Sequence, residues 1–170
     1  MMMGAGSRPL PMKSERTIDR EMHHEKSCGA LVLRRDEEDG KPYILMIRHK
    51  RGGHRSFPKG HMERGETEYM TAIREVYEET AVQIRFFSDF RKTVYYSPMP
   101  GVRKEVVYFL TETQQTEIHP GEGEIAQVEW VPLELAESCL AHENDKTVLR
   151  AAIEKMNQSG KPFCPAGTDI

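Results

Sequence analysis

The sequence predicts an α/β protein built on one mixed β-sheet with helices on both faces. Three observations lead there. Runs rich in β-branched residues and Leu recur along most of the chain, and three stretches carry helical spacing. The two kinds of segment follow one another without the regular strand–helix alternation of a doubly wound parallel sheet.

Taken in order, residues 1–24 are polar, basic at first, and rich in Gly, Pro and Met, and read as a flexible leader. Residues 25–158 form the domain. Cys28–Arg35 and Tyr43–His49 read as two strands joined by the acidic turn Asp36-Glu37-Glu38-Asp39-Gly40. Residues 50–66, rich in Gly, Lys, Arg and His, are expected to form a loop. Thr67–Thr80 reads as a helix with Met70, Ile73 and Tyr77 along one stripe. Val82–Phe87, Phe90–Tyr96 and Glu105–Thr111 read as strands, with Pro98 and Gly101 marking the turn between the last two. Ile125–Val131 is a further strand. Pro132 suits the first turn of a short helix through Leu140. Asn144 is a candidate cap for a last helix carrying Val148, Ala151, Ala152 and Lys155. Residues 159–170, with Gly160, Pro162, Pro165 and Gly167, read as an irregular tail.

Composition narrows the class. The 170 residues are 38% apolar and 30% charged, the balance of a soluble globular domain, and no apolar run is long enough to cross a bilayer. No positive patch followed by an apolar stretch marks a secretory signal. The three cysteines, Cys28, Cys139 and Cys164, show no metal-knuckle or redox spacing, and free thiols fit a cytoplasmic location. A net charge of -3 argues against electrostatic nucleic-acid binding by the whole molecule, so a phosphate-rich ligand needs local cations or a metal.

The chemistry concentrates on the helix at 67–80. Glu75, Glu78 and Glu79 stand at i, i+3 and i+4 and project from one face, where like charges repel. A divalent cation removes that repulsion, and hard oxygen donors are what magnesium prefers. Arg74 sits beside them to orient a carboxylate or offset the charge. Glu63 and Glu66 lie just upstream, toward the helix start, where negative charge is favoured. Alone, such a face is often only solvated surface.

The wider spacing is more specific. Gly60, five residues, Glu66, seven residues, then Arg74-Glu75-Val76-Tyr77-Glu78-Glu79-Thr80-Ala81-Val82 resembles the Nudix box. The resemblance extends over roughly residues 26–155. It implies an α/β/α sandwich, magnesium or manganese, and hydrolysis of a nucleoside diphosphate joined to another group. One position departs from the box. Its last glycine is Ala81 here, where a left-handed conformation would cost alanine about 1 kcal/mol.

The flanks resemble diadenosine tetraphosphate hydrolases. Arg55-Ser56-Phe57-Pro58-Lys59-Gly60-His61 is similar to the segment leading into their box, and Lys104 opens a strand similar to one they place beside the polyphosphate. Lys59, His61, Tyr95, Tyr96 and Lys104 are therefore the candidate substrate residues, one of the tyrosines stacking on a base. Arg48, His49, Lys50, Arg51, His54, Arg55 and Lys59 form a basic cluster, read as a phosphate-facing lip. Glu124 stands at a distance before Trp130 similar to that of a loop glutamate in related enzymes, which makes it a candidate further ligand or base. The expected metal ligands are Glu75, Glu78, Glu79, Glu124 and the Gly60 carbonyl, with Arg74 assisting and Glu78 or Glu124 taking the proton from the attacking water. The implied reaction is asymmetric cleavage of diadenosine tetraphosphate to ATP and AMP. Other Nudix substrates remain open: oxidised nucleotides, ADP-ribose, diphosphoinositol polyphosphates or an RNA 5′ end. So does a non-catalytic nucleotide sensor. No membrane partner is expected, and the oligomeric state is not legible.

Overall fold

Two long strands with near-continuous apolar centres, 23–35 and 102–112, set the frame by pairing with each other in parallel, so that His23 faces Val102 and Leu33 faces Glu112. The computed structural model describes residues 22–159. Its elements are β1 (His23–Arg35), β2 (Pro42–His49), β3 (Arg55–Ser56), β4 (Lys59–His61), α1 (Glu68–Thr80), β5 (Arg85–Tyr96), β6 (Val102–Glu112), β7 (Ile125–Pro132), α2 (Leu133–Cys139) and α3 (Glu143–Gln158). The described strands form one sheet in the order β3-β2-β1-β6-β5, with β4 on β1 and β7 on β2. Only the β1–β6 pair is parallel, so the sheet is mixed, as expected.

Side-chain alternation along β1 divides the core between the two faces. Leu31 and Leu33 join Ile44, Met46, Phe57, Tyr108 and Leu110 under α2 and α3, which contribute Ala136, Val148, Leu149 and Ala152. Ala30 and Val32 face the other way, with Val76 and Val82 from α1 and the turn after it. Cys28, Ala72, Val107 and Phe109 continue that second layer. Each Leu or Ile so buried contributes on the order of 2 kcal/mol. The result is the α/β/α sandwich. No helix among the described residues is long and apolar enough to cross a membrane. Cys28 is buried and Cys139 half-buried, both as free thiols, while Cys164 lies outside the described residues.

Several sequence expectations shift. The apolar stripe of α1 faces out: Met70, Ile73 and Tyr77 are exposed, and the helix buries Thr71, Ala72, Val76 and Thr80 instead. Small residues win that face because α1 lies close against β1 and β4, where long side chains have no room. The segment 50–66 is not all loop, since β3 and β4 form within it. β4 exists through backbone pairing, Cys28 to Gly60 and Gly29 to Lys59, which residue type does not reveal. The two strands expected over 82–87 and 90–96 are one strand, β5, whose register slips between Phe86 and Arg91. Asn144 does not cap α3; His142 holds that position, and the Asn144 amide donates to the Tyr95 carbonyl at 3.3 Å. Strand β1 begins at His23, five residues before Cys28, because β6 extends beside it. The leader through residue 21 and the tail from residue 160 lie outside the described residues.

Candidate active site

Helix α1 starts cleanly because the Thr67 side chain accepts from the Met70 N–H at 3.2 Å. It ends at Ala81, which adopts φ 62° and ψ 18°, the left-handed cap its position demands. The Ala81 N–H donates to the Tyr77 carbonyl at 2.8 Å, and the Gln115 amide donates to the Ala81 carbonyl at 2.7 Å. The helix therefore stops where a glycine would have stopped it, and Glu79 keeps its place on the last turn.

Arg74 is the hub of the site. Its guanidinium donates to both Glu66 oxygens at 2.7 and 2.9 Å, to Glu75 Oε1 at 2.7 Å, to Glu78 Oε2 at 3.2 Å and to the His61 carbonyl at 2.9 Å. With its fork spent on four protein partners, Arg74 is placed to position carboxylates rather than to touch a substrate. Glu66 also accepts from the Glu63 N–H and the Thr71 hydroxyl. Its carboxyl is held down to about 2, chiefly by Arg74. Glu66 thus ties the loop before the helix to the helix itself, while Glu63 remains 67% exposed.

Glu75 and Glu79 turn inward, toward β4. The Glu75 carboxylate lies directly on Gly60: a Cβ there would come closer than 3.0 Å to it. Glu79 Oε2 accepts from the Lys59 N–H at 3.2 Å. Burial, and then the charge of Glu75 beside it, push the Glu79 carboxyl up to about 8. Glu78 is the outward member of the three, with its side chain 56% exposed. The loop before β7 closes over the helix end. Gly121 donates to the Glu79 carbonyl at 3.0 Å, and a Cβ on Gly121 would clash with the Glu78 carbonyl.

Among the described residues no three His, Cys, Asp or Glu side chains stand already gathered as a metal cage. The charge balance nonetheless fits a divalent cation. Glu75 and Glu79 place two carboxylates in a half-buried cleft where Glu79 has a backbone N–H as its hydrogen-bond donor. All the donors are hard oxygens.

The sequence-predicted substrate residues divide between the sheet faces. Lys59, His61, Tyr96 and Lys104 come together on the α3 side. Lys104 Nζ lies 3.4 Å from His61 Nε2 and 5.8 Å from the Tyr96 ring centre. Tyr95, one residue along β5, points to the opposite face with Arg103 stacked 4.7 Å from its ring centre. The basic lip is also divided. Arg48 and Arg55 both pair with Glu129 and are thereby committed to the fold. Lys50 and Arg51 remain at the surface, lining a cavity of about 360 Å³ with His49, His54, Gly123 and Glu124. Glu124 is exposed there, beyond the point where its loop touches Glu79.

A larger cavity of about 480 Å³ opens beyond Lys59, lined by His49, His54, Ser56, Tyr96, Tyr108, His142 and Asp145 among others. His49 and His54 stack at 4.2 Å, and His142 meets His54 edge-on at 5.1 Å. Sequence reading missed His142, Asp145 and Tyr108. Tyr108 looks like any apolar strand residue, and Asp145 like an acidic residue favoured by a helix start. Nothing local in the sequence brings strands β5 and β6 to that helix.

The sandwich, the box geometry and the Arg74 hub together define a class. The chain belongs to the NUDIX domain family, whose model matches residues 23–152. It is similar to MutT4 of Mycobacterium tuberculosis, 33% identical over 151 residues that cover 84% of this chain and 61% of that protein. It is also similar to an 8-oxo-(d)GTP phosphatase of Mycolicibacterium smegmatis, 27% identical over 86% of this chain and 46% of the relative. The chain therefore spans roughly half to three-fifths of the length of these two relatives. Among solved structures, a C. elegans Ap4A hydrolase in a binary complex superposes with a TM-score of 0.70 at 25% identity, covering 81% of this chain and 99% of that one.

Proposed function

We propose that this chain is a divalent-metal-dependent pyrophosphohydrolase acting on a nucleoside polyphosphate, with asymmetric cleavage of diadenosine tetraphosphate to ATP and AMP as its reference reaction. The observation that carries the reading is the inward pair Glu75 and Glu79. These carboxylates are half-buried together against β4, and the same β4 residue, Lys59, whose N–H bonds Glu79 also lines the 480 Å³ cavity. A candidate metal-binding edge and a ligand-sized space thus share one strand.

Glu75, Glu79, Glu78 and the Gly60 carbonyl would hold magnesium or manganese, which supplies charge neutralisation at the phosphates and a more acidic bound water. The chain's own groups do the rest. Arg74 fixes the direction of Glu75 and Glu78. Lys59, His61 and Lys104 offer positive charge and donors along the path of the phosphate chain. Glu78, the exposed carboxylate, is the candidate for accepting the proton of the attacking water, with Glu124 the alternative from the facing loop.

A second reading, hydrolysis of an oxidised purine nucleoside triphosphate, is favoured by the similarity to the 8-oxo-(d)GTP phosphatase. A single screen tests both. Dinucleoside polyphosphates, ordinary and 8-oxo nucleoside triphosphates, ADP-ribose and diphosphoinositol polyphosphates are incubated with magnesium and with EDTA, and products are resolved. Magnesium-dependent release of ATP and AMP from diadenosine tetraphosphate supports the first reading. Absence of turnover on every compound refutes the enzymatic one.

A further inference from the structure

Asp145 is a buried carboxylate in the large cavity that forms no ion pair among the described residues, although the charges of Lys59, His142 and His54 act on it from nearby. It is 7% exposed, and its hydrogen-bond partner among the described residues is the Tyr108 hydroxyl, which donates to Oδ1 at a long 3.4 Å. A buried carboxylate normally carries a salt bridge or several donors. Asp145 has neither, yet it lines the cavity beside Lys59, Tyr96 and His142. Its place in the first turn of α3 gives it some favourable contact with the helix dipole. Glu143 supplies the same charge in the same turn from a far more exposed position, so the dipole does not account for burying Asp145.

The surroundings describe the missing partner. The cavity, about 480 Å³, lies within the range that holds a small ligand such as a nucleoside. Val94, Val106 and Tyr108 give it an apolar lining, and Tyr96 and His142 add aromatic rings suited to a flat base. An ionised carboxylate is acceptor-only, with two oxygens that take two parallel donors. Among the common purines, the guanine edge offers that pair, the ring N1–H and the exocyclic amino N–H. Adenine offers one donor beside one acceptor, and hypoxanthine lacks the amino group. Lys59 at the mouth leads from this cavity to the carboxylates of α1.

We infer that the cavity beyond Lys59 is a base subsite in which Asp145 selects a guanine-type base by accepting from its N1–H and amino group. The inference rests on the reading of the α1 carboxylates as the cleavage site, and of the two substrates proposed for that site it sides with the guanine-type nucleoside triphosphate over diadenosine tetraphosphate, whose two bases are both adenine.

The test is equilibrium binding of nucleoside monophosphates, which needs no turnover. Isothermal titration of the full chain with magnesium compares GMP, IMP, N1-methyl-GMP and AMP. GMP is expected to bind roughly tenfold or more tighter than IMP or N1-methyl-GMP, each of which lacks one donor. AMP is expected to bind more weakly still, because its ring nitrogen would face a carboxylate oxygen. Asp145→Asn replaces two acceptors by one acceptor and one donor, the complement of adenine, so it should turn the preference from GMP toward AMP. A purely structural role for Asp145 would lower thermal stability and leave that order unchanged. The inference is overturned if the wild-type chain shows no preference for GMP, if none of the four binds, or if folded Asp145→Asn keeps the wild-type order. The wild-type comparison decides the matter even where the variant does not fold. A chain that ranks the four as expected but cleaves no polyphosphate would refute the hydrolytic reading and leave the base subsite standing.

Discussion

Gly60→Ala is the most informative small change in this molecule, because it adds one methyl group against one catalytic candidate. Gly60 sits in β4 opposite Cys28, outside the left-handed region, so its backbone conformation accepts an alanine. The methyl carbon would fall closer than 3.0 Å to all three atoms of the Glu75 carboxylate group. Ordinary contact requires that group to retreat by roughly 1 Å, several times the ~0.2 Å latitude of a metal–ligand bond. The obstacle is the end of a flexible side chain, so the fold absorbs the change. Alanine also lowers the entropy of the unfolded chain, an effect of about 0.4–1 kcal/mol in the stabilising direction. The expected outcome is a melting temperature within a few degrees of wild type, with the magnesium concentration for half-maximal activity raised about 10- to 100-fold. Manganese binding followed by electron paramagnetic resonance gives the affinity directly. In a Glu75→Ala background the same methyl group should cost nothing further, since the group it displaces is gone. Wild-type metal affinity in the Gly60→Ala variant would refute the assignment of Glu75 as a ligand pressed against β4.

Other expectations follow from the same site. Glu78→Gln should lower turnover by orders of magnitude while leaving thermal unfolding unchanged, because the side chain is 56% exposed and its ion pair with Arg74 is at the surface. Arg74→Lys should fail to rescue Arg74→Ala in either melting temperature or magnesium dependence, since a lysine cannot reproduce the fork that binds both Glu66 oxygens. Ala81→Gly should stabilise the protein by up to about 1 kcal/mol, measured by urea unfolding, without changing activity, because Ala81 holds φ 62° at the helix cap. The pH dependence has a definite sign. Glu79 is raised to about 8 in the folded chain against a usual value near 4.5, so the metal-free native state holds a proton that the unfolded state has lost. Melting temperature in EDTA should therefore fall as pH rises from about 5 to 8, and both saturating magnesium and Glu79→Gln should flatten that slope.

The carboxylate helix was legible because its information is local. Gly60, Glu66, Arg74, Glu75, Glu78 and Glu79 lie within one short strand, the loop after it and one helix, so spacing alone places them together, and the Arg74 hub has the geometry that spacing implies. The mixed sheet was legible for a similar reason: its central strands carry near-continuous apolar runs, and their order along the chain excludes regular alternation. Which face of α1 is buried was not legible, and the structure puts Thr71, Ala72, Val76 and Thr80 against the sheet. Met70, Ile73 and Tyr77 are apolar enough for a core but stay exposed.

The substrate side depended on distant contacts. Tyr95 and Tyr96 are equivalent in the sequence. The pairing of β5 with β6 sets Tyr96 beside Lys104 and turns Tyr95 to the other face. Likewise Arg48 and Arg55 belong to the same basic stretch as Lys50 and Arg51, and only the approach of β7 gives them Glu129 as a partner. Asp145 and Lys59 are far apart in the chain and meet at one cavity because α3 packs across β5. The sequence by itself thus determined the family, the sheet and the carboxylate helix, which depend on spacing within short segments. Tertiary structure decided which tyrosine, which cations and which buried carboxylate gather at the large cavity and the strand beside it, because that choice is made by strand register and helix docking between segments the chain keeps apart.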